Sequence, residues 1–196
     1  MAGSTDGIPL GMIPRTVIQD RQEFNELLRV FKSLKPRKVL EIGSLYGGTL
    51  QQFMEAAEPG AFFVSVDLLT PLGGKPRIDQ MQGHDYLFYE WAEEFGHKFR
   101  MLERDSGDSQ TAETVRHILG EIDFMFIDGD HTTEGLKRDI ALYLPMLKAG
   151  GVAAFHDIEI ESVKNVWTAL KIGNKTQEFI IRKAGCGIGV LYKTQA

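Results

Sequence analysis

The chain has 196 residues, of which 43% are hydrophobic, 25% charged and 10% aromatic, a balance that excludes a disordered or collagen-like chain. Lys and Arg total 22 against 27 Asp and Glu, and the net charge of −5 argues against broad electrostatic capture of nucleic acid or anionic lipid. The single cysteine, Cys186, excludes an intrachain disulfide framework and a cysteine-based zinc site, and no apolar run approaches the ~18 residues that span a bilayer.

Residues 1–18 are rich in Gly, Pro and Ser and read as an irregular arm. The arm has no basic stretch leading into an apolar one, so no signal peptide is expected and the cytoplasm is the expected location. A leading helix occupies residues 19–36: Phe24, Leu27, Leu28, Phe31 and Leu34 recur at three- and four-residue steps, and Pro36 ends it. Strands and helices then alternate. The strands fall at 38–42, 61–66, 99–103, 122–127 and 151–155, and the helices at 48–57, 84–95, 112–119, 134–147 and 163–170. Pro145 is expected to bend or end the fourth of these helices. A Pro/Gly-rich loop fills 69–83, and residues 178–182 and 188–192 close the chain as an antiparallel hairpin around Gly185-Cys186-Gly187. Cys186 reads as a packing residue in that turn. Parallel strands need crossovers, so this order predicts one α/β domain over residues 1–196. Its sheet has about seven strands, mostly parallel, with helices on both faces and an antiparallel C-terminal pair.

Ligands of such sheets sit at the carboxyl ends of the strands, and every parallel strand here ends in polar groups. The first leads into Glu41-Ile42-Gly43-Ser44-Leu45-Tyr46-Gly47-Gly48-Thr49, and the second ends at Asp67. The third leads to Asp105-Ser106, the fourth to Asp128-Gly129-Asp130-His131 and the fifth to His156-Asp157. The glycine turn lets backbone approach a ligand at a helix start. Its spacing differs from the dinucleotide fingerprint, because Leu45 stands where a second glycine would meet a pyrophosphate. A carboxylate at Asp67 can accept both hydroxyls of a ribose.

These blocks resemble the class I S-adenosylmethionine-dependent methyltransferases from about Lys38 onward. Phe126-Ile127-Asp128-Gly129-Asp130-His131, Glu134-Gly135 with Lys137-Arg138-Asp139, and Gly150-Gly151 with Phe155-His156-Asp157 are similar to the bacterial small-molecule O-methyltransferase group and its cephalosporin-hydroxylase-like relatives. The resemblance implies a Rossmann-like doubly wound fold. It also implies that Glu41 and Gly43 shape the methionine end of the cofactor pocket, with Thr49 near the cofactor carboxylate. Asp67 would hold the ribose, and Asp105 and Ser106 would lie by the adenine, although Ser106 alone also reads as a helix cap. Asp130 would support the cofactor or orient His131.

The same strand ends resemble, more distantly, the metal-dependent catechol and caffeoyl-type O-methyltransferases. Asp128 matches their Asp after the fourth strand, and His156-Asp157 stand in place of their Asp-Asn pair. The resemblance therefore implies a divalent cation (Mg, Mn or Fe) on Asp128, His156 and Asp157. The alternative is that Asp128 binds cofactor or substrate directly and His156 bonds into the fold. His131 stands where the catechol-type enzymes place a catalytic lysine, and a neutral imidazole can take a hydroxyl proton at physiological pH. The alternative there is a helix cap or a cofactor contact. Tyr86, Tyr89 and Trp91 read as core packing or as an acceptor lid.

The expected activity is methyl transfer from S-adenosylmethionine to a hydroxylated small molecule, without nucleic-acid or membrane partners. A homodimer is suggested by fold analogy alone. An N-methyltransferase, a non-catalytic S-adenosylmethionine- or nucleotide-binding module and an NAD-dependent oxidoreductase remain as alternatives.

Overall fold

The computed structural model describes residues 19–68, 85–181 and 186–194; the expected arm at 1–18, the loop at 69–83 and Gly185 lie outside the described residues. Helix α1 spans Arg21–Leu34. It starts where the Gln22 and Glu23 amides donate to the Asp20 carboxylate at 2.9 and 3.4 Å, and it buries Phe24, Leu27 and Phe31. The alternation follows as β1 (Lys38–Ile42), α2 (Gly48–Ala56), β2 (Phe62–Asp67), α3 (Asp85–Glu94), β3 (Lys98–Glu103), α4 (Ser109–Leu119), β4 (Ile122–Ile127) and α5 (Thr133–Tyr143). A single 3-10 turn at Leu144–Met146 leads into β5 (Leu147–Phe155), α6 (Glu161–Lys171), β6 (Lys175–Phe179) and β7 (Ile188–Tyr192).

The described strands form one seven-stranded sheet in the order β3-β2-β1-β4-β5-β7-β6. Strands β1 to β5 pair in parallel and β7 runs antiparallel to both β5 and β6, as expected from the sequence. Successive side chains of a strand point to opposite faces, and both faces are covered. Val39, Phe63, Phe124 and Phe126 pack with Phe24, Phe31, Phe53 and Phe88 of α1, α2 and α3. Leu40, Val64, Met125 and Phe155 pack with Val115, Leu136, Tyr143 and Trp167 of α4, α5 and α6. The first face is an aromatic layer in which the Phe31 and Phe124 rings meet edge to face, their centroids 4.9 Å apart. Asp123 is the one acid in β4. At the end remote from the site it accepts from the Arg37 and Lys38 amides at 2.6 and 2.7 Å and pairs with Lys148.

Several boundaries differ from the sequence expectation, helix α4 for one starting at Ser109 rather than 112. Strand β6 lies at 175–179 rather than 178–182, because register with β7 pairs Lys175 with Tyr192 and Phe179 with Ile188. The apolar run Phe179-Ile180-Ile181 drew the expectation forward, yet Ile180 and Ile181 are exposed beyond the strand. Helix α5 ends at Tyr143 instead of 147, where Pro145 enters the 3-10 turn. Strand β5 starts four residues early, at Leu147, with a register shift against β4 between Ile122 and Phe124. Among the described residues, no helix is long and apolar enough to cross a membrane.

Candidate functional site

The carboxyl ends of β2, β1, β4 and β5 are stitched together by backbone. Gly43 N donates to Val66 O at 2.9 Å, Asp128 N to Ile42 O at 2.8 Å and His156 N to Ile127 O at 3.1 Å. Between β1 and α2 the chain turns sharply, with Gly43 at φ +83, Leu45 at φ 49 and Gly47 at φ 75. A side chain at Gly43 would stand 2.2 Å from the Asp128 carbonyl oxygen, so only glycine lets the two strand ends touch. Leu45 N donates to Asp67 Oδ2 at 2.8 Å, which ties the turn to the end of β2. Gly47 lies against the Phe88 ring of α3.

Beneath this turn Glu41 is fully buried. Thr49 Oγ1 donates to its Oε1, Ser44 Oγ donates to its Oε2 at 3.0 Å, and Ser44 also pairs with Ser65. Burial pushes the Glu41 carboxyl up to about 8. The Thr49 and Ser44 hydroxyls pull against that shift, and the Asp128 and Asp67 charges add to it. Glu41 and Thr49 thus form the floor of the turn rather than its open surface.

On the other side of Gly43, Asp128, His131, His156 and Asp157 converge. His131 Nε2 lies 3.1 Å from Asp128 Oδ1 and 3.5 Å from Asp157 Oδ2. His156 Nδ1 lies 3.2 Å from Asp128 Oδ1 and 3.3 Å from Asp157 Oδ1, while its buried Nε2 has no partner. Burial opposes charge on His156, but its bonds to the two carboxylates prevail and raise its pKa to about 10. Burial likewise works against the Asp128 charge, and the two imidazoles overcome it and hold that carboxyl below its usual range. His131 is raised by the Asp128 carboxylate beside it, against partial burial. The loop is fixed from α6: Ser162 Oγ donates to His131 O at 2.6 Å, and Thr133 Oγ1 donates to Ser162 O at 2.9 Å. Asp157 is itself left-handed at φ 58.

A ligand atom each from Asp128, His131 and Asp157 lies within 4.8 Å of the others. Two carboxylates and an imidazole suit a divalent ion such as Mn²⁺ or Fe²⁺, and two carboxylates also suit Mg²⁺. The expected set of Asp128, His156 and Asp157 is therefore brought together, with His131 added to it. His156 turns Nδ1 to both carboxylates, and its raised pKa favours a counter-charge role beside Asp128, His131 and Asp157.

The other expected residues sit in the turns that follow β3 and β4. Asp130 Oδ1 accepts from Thr132 N at 2.8 Å, and its side chain packs over Gly135 at the start of α5. Asp105 Oδ1 accepts from Gly107 N at 2.8 Å, and Ser106 O accepts from the Tyr143 hydroxyl at 2.9 Å. Helix α3 divides the two readings: Leu87, Phe88 and Ala92 are buried and Trp91 packs against Phe88, whereas Tyr86 and Tyr89 are exposed.

Sequence reasoning missed Ser44 and Ser65 as partners of the Glu41 network, Gln19, and the role of Asp139. Gln19 Nε2 donates to Asp128 Oδ2 at 2.7 Å, a contact no local pattern announces. Asp139 had a signal. It falls on the buried stripe Gly135, Leu136, Asp139, Tyr143 of α5, at helical spacing. Neither of its carboxyl oxygens has a hydrogen-bond partner of normal geometry. Burial raises its pKa to about 6, the nearby Ser106 hydroxyl pulls the other way, and Asp130 and Asp105 add repulsion.

A folded pKa near 6 against 3.8 unfolded means that Asp139 costs stability as pH rises from about 4 to about 6, up to ~3 kcal/mol above that range. Asp139→Asn is expected to stabilise the protein by ~1–3 kcal/mol at pH 7.5 and to give no gain at pH 4. Urea unfolding at both pH values measures this, and an equal gain at both would refute the assignment.

Solved structures share this architecture. An O-methyltransferase from Bacillus cereus in complex with SAH aligns over 93% of this chain and 85% of its own, with a TM-score of 0.60 at 14% identity. The MycE methyltransferase of the mycinamycin biosynthetic pathway, in complex with Mg and SAH, aligns over 87% of this chain and 48% of its own, with a TM-score of 0.58 at 12% identity. Likeness at such identity concerns the fold. The protein y4gI of Sinorhizobium fredii is 26% identical over 145 residues, 69% of this chain, and the chain spans only 15% of that relative's length. Residues 40–158, more than half of the chain, match the family described as Methyltransferase domain, and the chain belongs to that family.

Proposed function

We propose that this methyltransferase passes the methyl group of S-adenosylmethionine to a hydroxyl of a small molecule, assisted by a divalent ion on Asp128, His131 and Asp157. The observation that carries the reading is the contact between Gly43 and the Asp128 carbonyl, which sets the donor turn and the carboxylate–imidazole cluster side by side. Family membership and the O-methyltransferases of the same fold, one of them in complex with Mg, support it. The net charge of −5 favours a small acceptor over nucleic acid. The same reading takes the protein as one cytoplasmic domain.

S-Adenosylmethionine would supply a methyl carbon already activated by its sulfonium, and the ion would lower the pKa of the acceptor hydroxyl. The chain's own work is placement. Asp67 fixes the turn through Leu45 N, and from the end of β2 its carboxylate would hold the ribose hydroxyls. Asp105 and Ser106 would lie by the adenine, and Asp130 would support the cofactor or orient His131. Asp128 and Asp157 share the charge of His156 beneath them, so the site carries less uncompensated negative charge than two bare acids would. Where no ion is bound, His131 Nε2–H donates to Asp128 Oδ1 at 3.1 Å, and Nδ1 of the neutral ring would be the atom that takes the hydroxyl proton.

The test is ligand-induced stability followed by turnover. S-Adenosylhomocysteine is expected to raise the melting temperature and NAD is not, because a ligand stabilises only the state that binds it. Asp67→Ala should weaken binding by ~1.5–3 kcal/mol, the worth of hydrogen bonds to a charged group. Stabilisation by NAD alone, or failure to form S-adenosylhomocysteine with any hydroxylated acceptor, would overturn the reading.

A further inference from the structure

We infer that Gln19 is a positioning residue that holds Asp128 to one-sided use of its carboxylate, making the start of α1 part of the cation site. The inference rests on the proposed ion at Asp128, His131 and Asp157. A carboxylate only accepts hydrogen bonds, so the amide nitrogen of Gln19 must face it, and Nε2 meets Oδ2 at 2.7 Å. Oδ1 is thereby left to face His131 at 3.1 Å and His156 at 3.2 Å. The Gln19 side-chain carbonyl oxygen is buried without a partner among the described residues, so within them the amide makes one hydrogen bond. A metal-binding carboxylate is commonly oriented in this way by a neighbouring donor, whose loss costs about 10- to 100-fold in affinity.

The backbone of Gln19 is not a loose end. Asp20, the next residue, caps α1. One turn further, the fully buried Glu23 accepts from Ile181 N at 2.8 Å and from Gly187 N at 3.0 Å. The segment gripped by Glu23 also braces the other acid of the site. Ile158 N donates to Gly187 O at 3.3 Å and Glu159 N to Cys186 O at 3.0 Å, immediately after Asp157. The segment that opens α1 therefore reaches Asp128 directly, through Gln19 ahead of the cap, and Asp157 through Glu23 and the C-terminal hairpin. It does so from outside residues 40–158, the part that matches the family.

Manganese titration of the full chain, followed by electron paramagnetic resonance, tests the inference. Gln19→Leu keeps the bulk and removes the donor; Gln19→Ala serves if the leucine variant does not fold. The dissociation constant for Mn²⁺ is expected to rise about 10- to 100-fold. The bound-manganese spectrum should also change, because Asp128 freed at Oδ2 can ligate through both oxygens, a signature that a merely structural role would not produce. Stabilisation by S-adenosylhomocysteine should persist. Affinity within twofold of wild type in a folded variant overturns the inference, as does a wild-type protein that binds no Mn²⁺. Neither result touches the methyl-transfer reading, which falls on separate outcomes: stabilisation by NAD alone, or no S-adenosylhomocysteine formed with any hydroxylated acceptor.

Discussion

Replacing His131 with alanine is expected to lower methyl transfer by about 10²- to 10⁴-fold, the range for losing a group that handles the acceptor's proton. A chelator should abolish activity, and restoring Mg²⁺, Mn²⁺ or Fe²⁺ in turn should rescue it with at least one of them. The two uses of the ring separate in one comparison. As a ligand, His131 contributes to Mn²⁺ affinity, so His131→Ala binds the ion more weakly; as a base alone, it leaves that affinity unchanged while the rate falls. The position of Nε2 between Asp128 Oδ1 and Asp157 Oδ2 makes weaker binding the expected result. Full activity in chelator would remove the ion, and an undiminished rate in His131→Ala would reduce the ring to a structural contact.

The second large effect is expected at Gly43. An added Cβ would meet the Asp128 carbonyl oxygen at 2.2 Å, its carbon at 2.6 Å and Gly129 Cα at 2.9 Å, all of them backbone atoms that cannot swing away. Left-handed strain adds to the clash, because φ is +83. Gly43→Ala should cost ~2–5 kcal/mol, combining overpacking with left-handed strain. Stabilisation by S-adenosylhomocysteine should disappear with it, since the turn and the end of β4 cannot both keep their places. Gly150 provides the control: its φ is +78, but nothing lies within 4 Å of its added Cβ. Gly150→Ala should therefore cost only the ~1–2 kcal/mol of backbone strain. Similar losses at the two positions, read by urea unfolding, would show that the contact with Asp128 is unimportant.

The strand ends were legible in the sequence because one physical rule places them. Apolar runs such as Phe124-Met125-Phe126-Ile127 stop where polar residues begin, and parallel strands bring those stops to a common edge. Asp67, Asp128 and His156-Asp157 followed from that alone. The identity of the imidazole nearest both acids did not, since His131 and His156 both sit at strand ends and only ring orientation distinguishes them. Gln19 was illegible for a different reason. Its partner is 109 positions away, and a lone glutamine ahead of a helix cap carries no periodic or compositional mark. The offset of β6 belongs to the same class: register with β7 overrode the local apolar signal of Ile180 and Ile181.

Three described residues other than glycine adopt left-handed backbone: Lys35, Leu45 and Asp157. Lys35 closes a helix, but Leu45 and Asp157 stand on either side of the proposed reaction centre. Any side chain in this region is less comfortable than glycine, by about 1 kcal/mol for a residue such as Leu. A search for greater robustness would thus be drawn to glycine at both positions. At 157 it would delete a carboxylate, whereas at 45 it would keep the backbone amide that Asp67 holds. Durability and the proposed cation site pull in opposite directions at Asp157, where the carboxylate requires a backbone that glycine would adopt with less strain.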